Sequence, residues 1–179
     1  MVFVSVLSVL CFTFFVSSYR IIAWYKNNLD LKKEIETITN NVEVKEYDEE
    51  NNLVKKEDEL YASESLIDVD FDELLKTNTD TIGWIYVPGT NIDYPIVQTT
   101  DNKYYLTHSF TKSYNDAGWV FMDYRNKTDV LDFNTIIYAH GRLDKTMFGS
   151  LRNALEDDWY MNEENHYIKL AMLSNSTLW

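Results

Sequence analysis

The sequence of 179 residues is poor in cysteine, glycine and basic residues, and each shortage excludes a class of function. It carries 16 Lys and Arg against 29 Asp and Glu, and this net charge of −13 argues against sequence-independent nucleic-acid binding, which needs basic residues on the phosphates. The five glycines are not clustered, so there is no Gly-rich phosphate loop. No serine lies in a nucleophile-elbow pattern.

The single cysteine, Cys11, permits no intramolecular disulfide. It lies in the apolar run 9–16, whose surroundings disfavour the charged thiolate, so we interpret it as a small hydrophobic residue. The three histidines lack ligand spacing and have no cysteine nearby, which argues against a zinc site. The acidic stretch lacks the spacing and turn glycine of a calcium loop. We therefore expect no metal and no cofactor.

A membrane anchor is predicted at the N-terminus, because residues 1–19 carry no charge and Arg20 is the first charged residue. At about 1.5 Å per residue, a helix over 1–23 spans a hydrocarbon core of about 30 Å. Tyr19, Trp24 and Tyr25 then fall where interfacial aromatic residues belong. A cleaved signal peptide is the rival interpretation, but no basic n-region and no small-residue cleavage site are evident.

The chain is predicted to divide into a membrane anchor (1–25), a helical and acidic linker (26–69) and a folded domain (70–179). Leu31, Ile35, Ile38 and Val42 recur at helical spacing, which favours a short amphipathic helix that packs on the domain. Residues 43–73 hold thirteen Asp and Glu against three Lys, which is typical of a solvated connector.

The folded domain is predicted to be mainly β with short helices (α+β). Asp70 and Glu73 form a capping-box pattern that opens a helix through Lys76. β-branched and aromatic runs then alternate with turn residues, and Pro95 in the second run marks a strand edge or a bulge. The candidate strands are 82–87, 91–98, 118–122, 135–138 and 167–172, with a further short helix over 147–155. Short strands with few helices predict a small barrel or sandwich.

His140 is the strongest candidate for chemistry among the three histidines. It ends the apolar run 135–139 and precedes Gly141, and a strand end that leads into a loop is where a rigid scaffold presents reactive groups. Histidine exchanges protons near neutral pH and suits general acid–base catalysis. By residue type alone, each of His108, His140 and His166 is more often structural than catalytic.

Six pieces of sequence between residues 70 and 149 occur in a distinctive order. The longest are IGWIYVPGTNIDYPIVQ at 82–98 and TIIYAH at 135–140. The others are FDELL at 71–75, NKYYL at 102–106, DYRN at 123–126 and MFG at 147–149. Each piece is weak alone, but in this order they make the chain resemble the class B sortases over most of 70–149.

The resemblance implies a mixed β-barrel with short peripheral helices on the outer face of a Gram-positive membrane. It implies a cysteine transpeptidase, whose thiolate attacks the Thr carbonyl of an Asn-Pro-x-Thr-type sorting motif before an amine of a peptidoglycan precursor resolves the thioester. His140 matches the catalytic histidine, which protonates the leaving amine. Asn102, Leu106 and Tyr138 match positions that bind the sorting peptide.

Two features depart from the family pattern. Ala139 and Gly141 flank His140 where Gly and a polar residue are frequent. The family's nucleophilic Cys and its oxyanion Arg follow the histidine by tens of residues, and Trp179 precedes both. We therefore expect a barrel that is incomplete at its C-terminus and a chain that is inactive as given. The alternative is a non-catalytic, membrane-anchored fragment that binds sorting peptides or is structural.

The orientation of the anchor has two conflicting indications. The resemblance implies an extracellular domain. The basic residues near the span, beginning with Arg20 and Lys26, all follow it, which by the positive-inside rule places the domain in the cytoplasm. An N-terminus upstream of Met1 that carries basic residues would reconcile the two.

Overall fold

The computed structural model describes residues 2–41, 44–46, 67–173 and 175–178. A long helix, α1 (Val2–Asn41), precedes the strands β1 (Val44–Glu46), β2 (Ile67–Val69), β3 (Thr81–Val87), β4 (Ile92–Val97), β5 (Phe121–Met122), β6 (Ile137–Tyr138), β7 (Lys169–Met172) and β8 (Asn175–Leu178). Six of them form a sheet of order β6-β5-β4-β3-β7-β8, in which β4 and β5 run parallel and the other neighbouring strands run antiparallel. The short helices are α2 (Phe71–Thr77), α3 (Asp157–Tyr160) and the 3-10 helices Tyr104–Leu106, Phe148–Leu155 and Glu163–His166. The predicted mixed sheet with short helices is confirmed.

The anchor and the amphipathic segment form one continuous helix rather than two. Among the described residues, α1 contains the one stretch, Phe3–Asn40, that is long and apolar enough to cross a membrane. Its later half packs on the domain through Leu31 and Ile38, which are 0% and 8% exposed. Val42, the last residue of the predicted amphipathic pattern, lies outside the described residues.

The centre of the sheet follows the alternation in the sequence. Ile92, Tyr94 and Ile96 of β4 are buried, as their common face predicts. Pro95 is paired with Trp84 of β3, while β4 meets β5 only at Val97. The far side of β4 beside Pro95 is therefore a local strand edge, as expected for a proline within a sheet.

Two strands are shorter than the sequence predicts, because neighbouring backbone groups bond to loops instead. Gly118 adopts a left-handed φ of 60°, and a Cβ there would lie 2.3 Å from the carbonyl oxygen of Tyr105. The next residue, Trp119, donates its backbone N–H to the same carbonyl. The Ile136 N–H donates to the Asn126 side chain. Only the two-residue strands β5 and β6 remain of 118–122 and 135–138.

The start of the domain also differs in detail. Asp70 caps α2 by accepting the Asp72 N–H, at 2.9 Å. The reciprocal half of the predicted capping box is wrong, because the Glu73 carboxylate instead pairs with Lys76 one turn later. Ile67 and Val69 are already buried, so the packed part of the chain includes residues before the predicted boundary at 70.

Candidate functional site

The ends of β5 and β6 bring the predicted site residues to one corner of the sheet. The two strands are antiparallel, with Phe121 opposite Tyr138, so Asp123 follows β5 close to Tyr138, and His140 follows β6. The rings of Phe121 and Tyr138 stack with centroids 5.2 Å apart, which fixes the tyrosine over the sheet.

Asp123 is a buried carboxylate on which the neighbouring polar side chains converge. Its Oδ2 accepts from Asn102 Nδ2 at 2.8 Å, Tyr138 OH at 3.1 Å and Arg125 Nη2 at 2.7 Å. Its Oδ1 accepts from Arg125 Nε at 2.8 Å. The bidentate pairing fixes the guanidinium plane as well as its position. Asp123 therefore orients two of the predicted peptide-binding residues, Asn102 and Tyr138.

The protonation states of this cluster follow from its hydrogen bonds. The Arg125 side chain, followed by its backbone N–H, holds the pKa of Asp123 well below its ordinary value. The Asp123 carboxylate in turn raises the pKa of Arg125 and of Tyr138. At neutral pH the cluster therefore contains a carboxylate, a guanidinium and a neutral phenol that can donate.

His140 is exposed, and among the described residues its ring makes one hydrogen bond, from Nε2 to the carbonyl oxygen of Leu106 at 2.9 Å. A carbonyl can only accept, so Nε2 carries the proton in this contact. Nδ1 bonds to no residue in the described part of the chain. This arrangement leaves one ring nitrogen available to exchange a proton with a bound molecule.

The loop after His140 is closed by backbone contacts. The Phe148 N–H donates to the His140 carbonyl at 3.0 Å, and Gly141 bridges Met147. A Cβ at Gly149 would lie 2.0 Å from the Arg142 carbonyl oxygen, so only glycine permits this approach.

Arg142, the second residue of that loop, joins it to the N-terminal helix. Its guanidinium donates to Thr146 and pairs with Asp144, at 3.0 and 3.2 Å. It also donates to the Asn28 side chain of α1. The loop that follows His140 is thus braced against α1 as well as against the sheet.

The structure brings the predicted residues Asn102, Leu106, Tyr138 and His140 together. Sequence reasoning missed Asp123 and Arg125 as functional candidates. Their signal was an acidic and a basic residue two positions apart directly after a buried apolar strand.

Cys11 does not join this site. It is exposed on the apolar half of α1, about 25 Å along the helix from Asn28 at a rise of about 1.5 Å per residue. The described residues contain no group of three side chains that could hold a metal ion.

Comparison with known proteins identifies the fold. Sortase B of Listeria monocytogenes is 47% identical over 87 residues, which are 49% of this chain and 35% of that protein. Solved sortase B from Bacillus anthracis superposes with a TM-score of 0.63 at 29% identity, over 88% of this chain and 66% of that one. The chain is a relative of the class B sortases.

A solved sortase B–substrate complex from Staphylococcus aureus matches with a TM-score of 0.55 and 35% identity, over 60% of this chain and 49% of that one. This chain spans between a third and two fifths of the length of the curated class B sortases that it matches. No protein-family model matches it.

Proposed function

We propose that the chain contributes the histidine-bearing part of a class B sortase-type transpeptidase, anchored in the cell membrane with its domain outside. The observation that carries the proposal is the position of His140. Its ring is exposed at the end of β6, and Nδ1 bonds to none of the described residues. Beside it lie Leu106 and the Asn102 and Tyr138 side chains that Asp123 orients.

The proposed reaction is acyl transfer from a sorting motif of the Asn-Pro-x-Thr type on a surface protein. A cysteine thiolate attacks the Thr carbonyl carbon, the peptide C–N bond breaks, and His140 protonates the leaving amine. An amine of a peptidoglycan precursor then attacks the thioester, gives up a proton to His140 and releases the thiolate. Asn102, Leu106 and Tyr138 bind the sorting peptide.

The nucleophile is the part of this reaction that the 179 residues do not supply. Cys11 is the one cysteine in the sequence, and its place on α1 keeps it far from His140. We do not assign Arg125 as the oxyanion Arg, because its Nε and Nη2 hydrogen bonds hold the guanidinium against Asp123. We therefore propose that the chain taken alone is inactive, and that it needs a cysteine-bearing segment to act.

Peptide binding without chemistry is the second candidate. It is favoured by the grouping of Asn102, Leu106 and Tyr138 in a site that lacks a thiolate. The two candidates agree about the bound peptide and differ in whether His140 takes part in a reaction.

A chimera tests the proposal. Residues 26–172, which keep the half of α1 that packs on the domain, are fused to the remaining C-terminal sequence of Staphylococcus aureus sortase B, with the same fusion carrying His140→Gln and, as a matched control, His166→Gln. His166 is exposed on a 3-10 helix and its ring bonds to the Tyr160 carbonyl, so it lies outside the site. Cleavage of a fluorogenic Asn-Pro-x-Thr peptide is measured for each protein.

We expect the chimera and the His166→Gln form to cleave the peptide. The His140→Gln form should lose at least about 100-fold in rate, in the range of general acid–base catalysis. The 179-residue chain alone should cleave nothing. A folded chimera without activity, or full activity after His140→Gln, would contradict the proposed role of His140.

A further inference from the structure

The two halves of α1 have opposite surroundings although they form one helix. From Phe3 to Tyr25 the large apolar side chains are exposed, most of them by more than half. From Asn27 to Ile38 the helix lies against the domain, and Leu31 is fully buried. Because the helix is continuous, the folded domain is held in a fixed position relative to the apolar half.

The segment 111–116 follows α1 back toward that apolar half. Thr111 donates its backbone N–H to Glu34 Oε1 at 2.7 Å. Four residues later, Asn115 Nδ2 donates to the Asn27 carbonyl at 3.1 Å, which lies about 10 Å nearer the N-terminus of the helix. The segment therefore descends along the helix toward the exposed apolar side chains.

The end of segment 111–116 near Asp116 lies at the level where α1 changes from apolar to polar residues. Tyr114 and Asp116 line an open cleft of about 600 Å³ together with Tyr19, Arg20 and Trp24 of α1. Tyrosine and tryptophan side chains favour the headgroup region of a bilayer, where the ring is shielded and the polar atom is hydrated.

The exposure and charge of the cleft fit the same layer. Tyr114 is 67% exposed, with its hydroxyl donating to Asp116 at 2.6 Å. Basic side chains of Arg20 and Lys26 and acidic ones of Asp30 and Asp116 line it in equal number. This balance suits the mixed charges of phospholipid headgroups better than the hydrocarbon or a strongly acidic partner.

We propose that the segment 111–116 rests in the headgroup layer of the membrane that α1 enters, and that α1 thereby holds the candidate site at the membrane surface. The inference rests on the membrane anchoring in the proposed function. Two connections join the candidate site to the part of α1 at the headgroup layer. In the first, Arg142, two residues after His140, bonds to Asn28, which is about 6 Å along the helix from Trp24.

The second connection runs through the chain that precedes the segment. The carbonyl of Leu106 accepts from His140. Two residues later, the ring of His108 stacks on that of Tyr104 with centroids 4.1 Å apart, and its backbone forms a β-bridge with Tyr114. The position of segment 111–116 is therefore coupled to the residues that contact His140 by packed rings and backbone hydrogen bonds.

Fluorescence quenching in lipid vesicles tests the proposal on the full chain. In a Cys11→Ala background, a single environment-sensitive dye is attached at Ser113→Cys, Thr77→Cys or Phe12→Cys. Ser113 is exposed in the segment. Thr77 of α2 lies beside Thr37 of α1, and Thr37 is about 20 Å along α1 from Trp24. Vesicles of zwitterionic phospholipid carry a nitroxide quencher on the headgroup or deep in the acyl chain.

We expect headgroup nitroxide to quench the dye at Ser113 at least about twofold more strongly than the dye at Thr77, and acyl-chain nitroxide to quench the dye at Phe12 alone. Equal, weak quenching at Ser113 and Thr77 with deep quenching at Phe12 would overturn the inference while leaving the anchor intact. An aqueous dye at Phe12 would overturn the anchor, and the inference with it.

A second variant distinguishes a position of Ser113 that α1 sets from simple adhesion of the dye to the membrane. Seven polar, helix-forming residues inserted between Trp24 and Tyr25 add nearly two turns, about 10 Å, while keeping nearly the same helix face toward the domain. Quenching at Ser113 should fall to the level of Thr77, and quenching at Phe12 should not change. Persistent headgroup quenching at Ser113 would contradict the claim that α1 sets the position of the segment.

Discussion

Asp123 and His140 lie at the same corner of the sheet but are held in opposite ways. Asp123 is 1% exposed and accepts hydrogen bonds from three side chains, Asn102, Arg125 and Tyr138. His140 is exposed and contacts one backbone carbonyl. The comparison separates the frame of the site, which is Asp123 with Asn102, Arg125 and Tyr138, from His140, which must change its protonation state in the proposed reaction.

The burial of Asp123 and the exposure of His140 have a physical reason. A group that exchanges protons during a reaction must be reachable by the substrate, whereas the groups that orient the substrate must have fixed rotamers. Substitutions in the frame should therefore change stability and activity together. Substitution of His140 should change activity alone.

The largest effect is expected in the loop that follows His140 and reaches α1. Gly149→Ala places a Cβ against the Arg142 carbonyl and should lower the free energy of unfolding by about 3 kcal/mol, as overpacking against backbone does. Gly141→Ala is the matched control, because a Cβ there meets no atom within 4 Å. Denaturant unfolding of the chimera measures both, and equal stability of the two variants would refute the close approach.

Asp123→Asn should lower the melting temperature of the chimera by roughly 5 to 15 °C, because the bidentate charge-assisted pairing with Arg125 is lost. His140→Gln should leave the melting temperature within about 1 °C, since an exposed side chain whose described hydrogen bond is to one carbonyl contributes little. Calorimetry of the two variants measures both melting temperatures. The contrast between Asp123 and His140 is wrong if His140→Gln destabilises the fold as much as Asp123→Asn does.

The pH dependence should distinguish Asp123 from a second aspartate. The pKa of Asp123 is lowered on folding, so its carboxylate stabilises the fold above about pH 4 and this contribution is lost as the pH falls further. Burial raises the pKa of Asp93, although Trp84 donates to it. Its protonated form therefore favours the folded state, and the resulting contribution is lost as the pH rises.

At pH 7, Asp93→Asn should be neutral or stabilising, because the amide oxygen still accepts from Trp84 and no charge is buried. Asp123→Asn should be destabilising at pH 7, and its stability should depend less on pH below 4 than that of the parent. Urea unfolding from pH 3 to pH 7 measures both. A loss of stability of the same size in the two variants at pH 7 would contradict the claim that folding lowers the pKa of Asp123 and raises that of Asp93.

The smallest effect is expected for Tyr138→Phe. The change removes one donor to Asp123 and keeps the ring on Phe121, so peptide cleavage by the chimera should fall by less than about tenfold. Tyr138→Ala, which also removes the stacked ring, should cost more. Equal loss in the two variants would mean that the hydroxyl, and not the ring, is the main contribution of Tyr138.

Local patterns in the sequence predicted much of the fold. The alternation of Ile92, Tyr94 and Ile96 and the turn at residues 88–90 gave the β3–β4 hairpin, because both signals lie within a few residues. The junction within α1 was missed, since apolar and amphipathic halves carry different periodicities although the backbone continues through both.

The candidate site was predictable only in part. His140 was visible at a strand end, and family resemblance supplied Asn102, Leu106 and Tyr138. The role of Asp123 depends on partners up to 21 residues away in the chain, and no local pattern reports such pairings. The same holds for Arg142 and Asn28, which are 114 residues apart.

The most direct test of the central claim is the response of the histidine rings to a sorting peptide. The full chain in detergent or nanodiscs contains His108, His140 and His166, so the ring Cε1–H signals give an internal comparison, assigned with the Gln variants. Addition of an Asn-Pro-x-Thr peptide should shift the signal of His140 and leave that of His166 unchanged, whereas a scrambled peptide should shift neither. A shift confined to His166, or no shift at millimolar peptide, would contradict the assignment of this corner as the sorting-peptide site.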